Sequence, residues 1–289
     1  MDILMNYAFQ IIALGTALLA AVAAPVGALS VYKGQSLIGD AIGHATFPGV
    51  VLAFMAFSTR SPAVLLVGAM AAAAVTFFAI QAAHENTRVG LNANLAIFLS
   101  GFFGLGMVLK SFIQGNEAYR GASQAGLETY IFGQAAYMLE ADVKLIVFVA
   151  ALCAALLFAF YKELKVFVFD AEYARAVGLP VRLLQVLLPF LTIAVIGIGI
   201  KAVGAILISS FLIIPCVAAS QWSDDFAHVL FLSAVFGVVA ALAGTYVSTL
   251  EQGMSTGPSI ILAASAIAFL SMFFGKRGAF RKRGRREEA

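Results

Sequence analysis

The chain has 289 residues, 62% hydrophobic and 11% charged, with a formal net charge of +3 and a mean hydropathy of +0.97. Soluble domains run at ~45–50% apolar and ~25% charged, so this composition cannot cover a water-facing surface and excludes a soluble α-protein. The two cysteines, Cys153 and Cys216, lie inside apolar segments and indicate neither a disulfide framework nor a thiolate metal site.

Residues 3–32 carry no Asp, Glu, Lys or Arg. They are too long for the apolar region of a cleaved signal peptide and lack a basic stretch before it, so they are expected to form the first span. Residues 41–58 carry only His44, and residues 61–83 and 89–109 carry no charge. Residues 145–161 and 183–200 are shorter apolar runs. Residues 202–223 and 252–275 are again free of charge, and 226–250 carry only His228. Crossing a bilayer takes roughly 20 apolar residues, so eight or nine spans are expected. Each run is apolar on every face, which fits helices and not barrel strands alternating with period two. The fold class is therefore all-α, a polytopic membrane protein with 8–9 transmembrane helices.

Lys and Arg orient the spans. With the C-terminus in the cytoplasm, the inside collects Lys33, Arg88, Lys162, Lys165, Arg175, Arg182 and the seven basic residues of 276–286. The outside collects Arg60, Lys110, Arg120, Lys144 and Lys201. Nine spans put the N-terminus outside; if residues 3–32 and 40–57 are not both full crossings, it lies inside. Residues 1–275 read as one transmembrane domain and 276–289 as a basic cytoplasmic tail near anionic lipid, with no nucleic-acid role. The outer loop 114–142 contains Tyr119, Tyr130, Phe132 and Tyr137, and its second half is expected to include a short interfacial helix. The inner loop 162–182 has helical character, with Asp170 as a cap and Gly178-Leu179-Pro180 as the stop.

Catalytic signatures are missing. No P-loop is present, so nucleotide hydrolysis by this chain is not expected. Residues 121–125 lack the last glycine of a serine-hydrolase elbow and the strand before it. His84-Glu85 lacks the second histidine of a zinc-protease helix. Asp40 and His44 stand apart. A carboxylate in a span is costly and marks function by default. A spacing of four puts both side chains on one helix face, and one imidazole with one carboxylate suits Zn²⁺ or Mn²⁺ and not Cu(I). Spacing alone also fits Asp40 as an N-cap at the membrane surface with His44 as a packing residue. Pro48 leaves the His44 carbonyl without its helical donor, and Gly39, Gly43 and Gly49 permit close approach. Two ligands make an incomplete site that a symmetric partner would complete. Lys201, among Gly197, Gly199 and Gly204, is either a snorkelling lysine at a tight outer turn or the mark of a broken helix near an ion path. Glu140 and Glu251 read as solvated loop residues, and His84 and His228 as interfacial.

The stretch Gly39-Asp40-Ala41-Ile42-Gly43-His44-Ala45-Thr46-Phe47-Pro48-Gly49-Val50 resembles the signature of the permeases of bacterial zinc and manganese ABC importers, which usually reads Gly-Asp-Ala-x-Ser-His-Ala-x-x-Pro-Gly-Val. The likeness continues with Tyr130-Ile131-Phe132-Gly133, with the Phe-Asp-x-Glu-x-Ala-x-x-x-Gly-x-Pro pattern at residues 169–180, with Val203-Gly204-Ala205 through Pro215, and with Gly257-Pro258-Ser259. Gly43 departs from the family's serine, and Cys216 from a usual alanine.

The resemblance implies a transport subunit and not an enzyme. It implies a second permease protomer, identical or paralogous, two cytoplasmic ABC ATPase subunits and an extracytoplasmic metal-binding protein. Asp40 and His44 would ligate the transported Mn²⁺ or Zn²⁺ (iron is compatible), with no permanently bound cofactor. Asp170, Glu172, Ala174, Gly178 and Trp222 would belong to ATPase-coupling loops. Localisation would be the bacterial inner membrane. The rival readings are a permease for a metal chelate or cofactor, and a metal carrier that needs no ATPase.

Overall fold

The computed structural model describes residues 7–59, 61–119, 133, 135, 138–250 and 254–278, with the side chains of Ala118 and Lys201 outside the description. The expected features at Arg60, residues 120–132, Tyr137, Glu251 and the tail from 279 onward therefore lie outside the described residues.

The helices are α1 (Tyr7–Tyr32), α2 (Ile38–Phe57), α3 (Pro62–Asn86), α4 (Leu91–Gly115), α5 (Glu140–Ala159), α6 (Tyr161–Phe169), α7 (Ala171–Ala176), α8 (Val181–Ser220), α9 (Phe226–Leu250) and α10 (Thr256–Phe274). A helix satisfies its own backbone, which hydrocarbon cannot do, and the apolar runs identified in the sequence adopt it. Local signals set several ends. Pro62 opens α3, where a missing N–H costs nothing. Ser58 closes α2 in the left-handed region at φ 46°.

Helix α8 is two helices joined at a reversal. Gly204 has φ 83° and ψ 165°, a conformation that side-chain-bearing residues rarely adopt. Nine residues of straight helix would separate Gly199 and Ile208 by about 13 Å, yet a Cβ at Gly199 would lie 2.6 Å from Ile208 Cδ1. The chain therefore folds back on itself. The reversal was expected at Lys201; it falls three residues later, at the glycine that can adopt the required φ. The two arms, Val181–Ile200 and Ala202–Ser220, bring the candidate spans to nine among the described residues.

Nine crossings put the two chain ends on opposite faces of the bundle. The first end gathers the turns near residues 33, 88, 160–180, 221–225 and 275. Arg277 N–H donates to the Gln221 carbonyl (3.1 Å) and its guanidinium pairs with Asp224. At the second end the Tyr7 hydroxyl donates to Glu140, and the Phe54 and Tyr119 rings lie 6.4 Å apart.

The arms of α8 are the most buried spans and form the centre. Helix α1 packs on α8 and α9, α2 on α3, α4 and α8, and α9 on α10. Helix α4 is peripheral, with only Asn94, Leu95, Gly106 and Ile113 buried. In lipid, helices associate through close packing and not through hiding apolar surface from water. At Gly27 a Cβ would lie 1.9 Å from the Leu212 carbonyl oxygen, so α1 and the second arm of α8 touch backbone to backbone. Gly27→Val is expected to destabilise the detergent-solubilised chain by about 3 kcal/mol or more. Gly101→Ala, in open space on α4, leaves the melting temperature unchanged or raised; thermal unfolding of the purified variants checks both.

Candidate functional site

From Ile38 to Val51, every residue of α2 is buried except Asp40 and His44. Their side chains keep 30% and 19% of their exposure, so the pair faces open space in a stretch that is otherwise enclosed. His44 Nε2 lies 3.4 Å from Asp40 Oδ1. Two ligand atoms each about 2.1 Å from a tetrahedral ion stand about 3.4 Å apart, so the pair matches two corners of such a site without rearrangement. Phe103 of α4 sets its ring edge-on to the imidazole, 5.1 Å between centroids. Among the described residues no group of three or more His, Cys, Asp or Glu gathers around an ion-sized space, so the pair has no third such ligand beside it there.

The N-cap of α2 is Leu37, and Asp40 is the third helical residue. This replaces the reading of Asp40 as a surface cap. Depth follows from contacts with α8. A Cβ at Gly39 would meet Leu212 Cδ1 at 2.6 Å, and one at Gly43 would meet Ser209 Oγ at 3.1 Å. Ser209 and Leu212 are the middle of the second arm, eight to eleven residues from its end at Ser220, or roughly 12–17 Å. Asp40 and His44 thus sit at mid-depth of the bundle.

The same contacts address the departure at Gly43. The glycine backs onto Ser209, whose hydroxyl donates to the Ala205 carbonyl (2.9 Å). A hydroxyl from α8 therefore lies next to position 43, where this chain has no side chain of its own. Position 43 is also 3.8 Å, by Cβ, from the Ala205 oxygen, so the break at Gly204 lies beside the pair. Thr46 Oγ1 donates to the Gly43 carbonyl (2.5 Å), and α4 closes on Phe47 and Pro48 at Gly106.

At the first end, α6 and α7 form the loop expected to be helical. Asp170 caps α7 by accepting from Tyr173 N–H (2.8 Å). Gly178, at φ +82°, ends it, and Leu179 N–H returns to the Ala174 carbonyl (3.0 Å). Glu172, Tyr173, Arg175 and Val177 face outward, whereas Ala174 is fully buried and anchors the helix. Trp222 is exposed in the neighbouring 221–225 turn. In that turn the Ala227 N–H donates to Asp225 (2.8 Å) and, with His228 beside it, holds the Asp225 carboxyl below its ordinary range. An aromatic cluster absent from the sequence reading joins the two loops: Tyr32, Phe169 and Phe226 pack mutually at 5.2–5.6 Å, with Tyr161 stacked on Phe226. The only sequence signal was an aromatic residue at each of four helix ends.

Residues 5–275 match the family described as ABC 3 transport family. The chain is 37% identical over 265 residues to the manganese transport system membrane protein MntC of Bacillus subtilis, covering 91% of this chain and 60% of that protein's length. It is 35% identical over 275 residues to the zinc transport system membrane protein TroC of Treponema pallidum, covering 95% of this chain and 91% of TroC. Its structure is similar to a chain of PsaBC from Streptococcus pneumoniae, solved in complex with Fab, with a TM-score of 0.82 at 27% identity over 97% of this chain and 96% of that one.

Asp170→Ala removes the cap of α7 and is expected to cost about 1 kcal/mol locally, raising the rate of limited proteolysis across residues 170–178 about fivefold. Asp170→Asn, which caps equally well, leaves that rate unchanged.

Proposed function

The chain belongs to the ABC 3 transport family, and we propose that it is the membrane-spanning permease of an ATP-driven importer for divalent transition metals, manganese or zinc. The observation that carries this reading is the Asp40–His44 pair: two ligand atoms 3.4 Å apart, partly open, at mid-depth of an apolar helix. The names of the manganese and zinc relatives favour the same cargo. A borderline nitrogen–oxygen donor pair suits either ion and leaves the choice to other components.

Two ligands from one chain leave a four-coordinate ion half satisfied. A second protomer, identical or paralogous, supplies the other half across a two-fold axis. Such a shared site binds weakly enough to release its cargo. An extracytoplasmic protein delivers the ion at the second end. Two ATPase subunits dock at the first end, on the outward face of α7 (Glu172 with the Asp170 cap and the Gly178 stop) and on Trp222. The buried Ala174 fixes α7 to the bundle, so a push on its exposed face is carried inward. ATP hydrolysis belongs to those partners, and no catalytic step falls to this chain. The first end carries Lys33, Arg88, Lys162, Lys165, Arg175, Arg182, Lys276 and Arg277, which makes it the cytoplasmic face of the inner membrane. The N-terminus is then outside. A chelate or cofactor permease would have no use for a bare-ion donor pair at this depth.

The test is ATP-dependent uptake of manganese and of zinc by the assembled complex in proteoliposomes. Asp40→Ala with His44→Ala is expected to reduce uptake more than about tenfold while assembly and ATPase activity persist. Full uptake by the double variant would remove the pair from the ion path. Uptake without ATP or ATPase subunits would make the chain a carrier.

A further inference from the structure

A second polar feature lies at the first end, on the far side of α2. A cavity of about 490 Å³ opens between the last turns of α3 and the first turns of α8. Ile38 and Ile42 close its back. They precede Asp40 and His44 by two residues, about 200° around the helix, so this cavity is separate from the candidate ion path.

Its two walls change character in the same direction. On α3, Phe77 and Phe78 line the deeper part, and Gln81, His84 and Glu85 line the part nearest the helix end. On α8, Leu188 and Pro189 lie deep, and Gln185 and Arg182 lie nearest the end. Apart from the buried Thr192 hydroxyl, which donates to the Leu188 carbonyl, both walls thus pass from apolar to polar over about 9–12 Å. The deep part is open sideways: Phe78 and Val186 are 64% and 61% exposed on membrane-spanning helices. A crevice that is cationic at the membrane surface, apolar below it and open to the acyl region has the profile of a phospholipid.

The charges select the headgroup. Lys33 lines the cavity with its Nζ 4.1 Å above the Phe167 ring, and among the described residues no ion pair to it is formed. Burial lowers its pKa to about 8, as for a cation lacking a counter-charge. Arg182 is the second fixed cation. The one carboxylate present, Glu85, already accepts from Gln81 Nε2 (2.6 Å). Two cations against one engaged anion leave a net positive mouth.

We propose that this cavity binds one anionic phospholipid, its phosphodiester facing Lys33 and Arg182 and an acyl chain lying between Phe78 and Val186. The assignment needs only that these helices span a membrane, and it stands whichever ion the chain conducts.

Native mass spectrometry of the full chain, alone and with its ATPase partner, titrated with phosphatidylglycerol or phosphatidylcholine, tests it. One phosphatidylglycerol per chain is expected to be retained in preference to phosphatidylcholine. Arg182→Gln, at an exposed position tolerant of change, weakens phosphatidylglycerol about fivefold, and adding Lys33→Gln weakens it about thirtyfold. Val186→Trp, filling the crevice, loses the lipid while both cations remain. Equal retention of the two lipids, or unchanged affinity in Arg182→Gln, overturns the proposal. Displacement by millimolar inorganic phosphate would make this a free-anion site instead. Loss of the lipid whenever the ATPase is bound would assign the cavity to an acidic surface of that partner. Because the readout is lipid retention, failure here is distinct from any failure of metal uptake.

Discussion

In hydrocarbon, two helices gain nothing by hiding apolar side chains from each other, so contact must come from close fit. The contact between the second arm of α8 and helices α1 and α2 meets that demand. At Gly27 the backbone of α1 rests against Leu212, and at Gly39 and Gly43 α2 rests against Leu212 and Ser209. One stretch of α8 thereby fixes two neighbours. It also fixes the depth of Asp40 and His44, which lie on α2 between and beside these contacts. The reversal at Gly204 makes this possible, because it returns the second arm through the middle of the bundle.

Polar groups in the spans are handled in a consistent way. Hydroxyls such as Thr16, Thr192, Ser209 and Ser233 turn back to carbonyls on their own helix. Asn94 donates across to the Ile80 carbonyl. Asp40 and His44 differ, since they pair loosely with each other and keep contact with open space. A hydroxyl that donates to its own helix offers a cation only a neutral oxygen, mostly enclosed, whereas this pair offers a carboxylate and an imidazole with access.

The first end is built as a joint. Tyr32 at the close of α1, Phe169 at the close of α6 and Phe226 at the start of α9 form one aromatic cluster. Arg277 ties the close of α10 to the turn before α9. Four helix ends thus meet beside α7, whose Ala174 is buried. Contacts run from this cluster along α1 and, at Gly27, to the α8 arm that packs against Gly39 and Gly43. The cavity borders the same region at Phe167 and Ala171, on the side of α2 away from Asp40 and His44.

Much of this was legible in the chain itself, because the signals are local. Runs without charge set the spans, a spacing of four set Asp40 and His44 on one face, and Asp170 with Gly178 bounded α7. What remained open depended on partners distant in sequence. The number of spans turned on whether residues 3–32 and 40–57 both cross, and each forms a helix long and apolar enough to do so. The reversal in α8 was advertised by a lysine at position 201 and performed by a glycine at 204, since charge is visible in sequence and φ is not. Ser209 stands opposite Gly43 only because α8 folds back, and the aromatic cluster forms only because α1, α6 and α9 meet at one level. The depth of Asp40 and His44 was likewise undetermined. A spacing of four records that they share one face of a helix, but where that helix begins, and at what level, is set by what packs against Gly39 and Gly43.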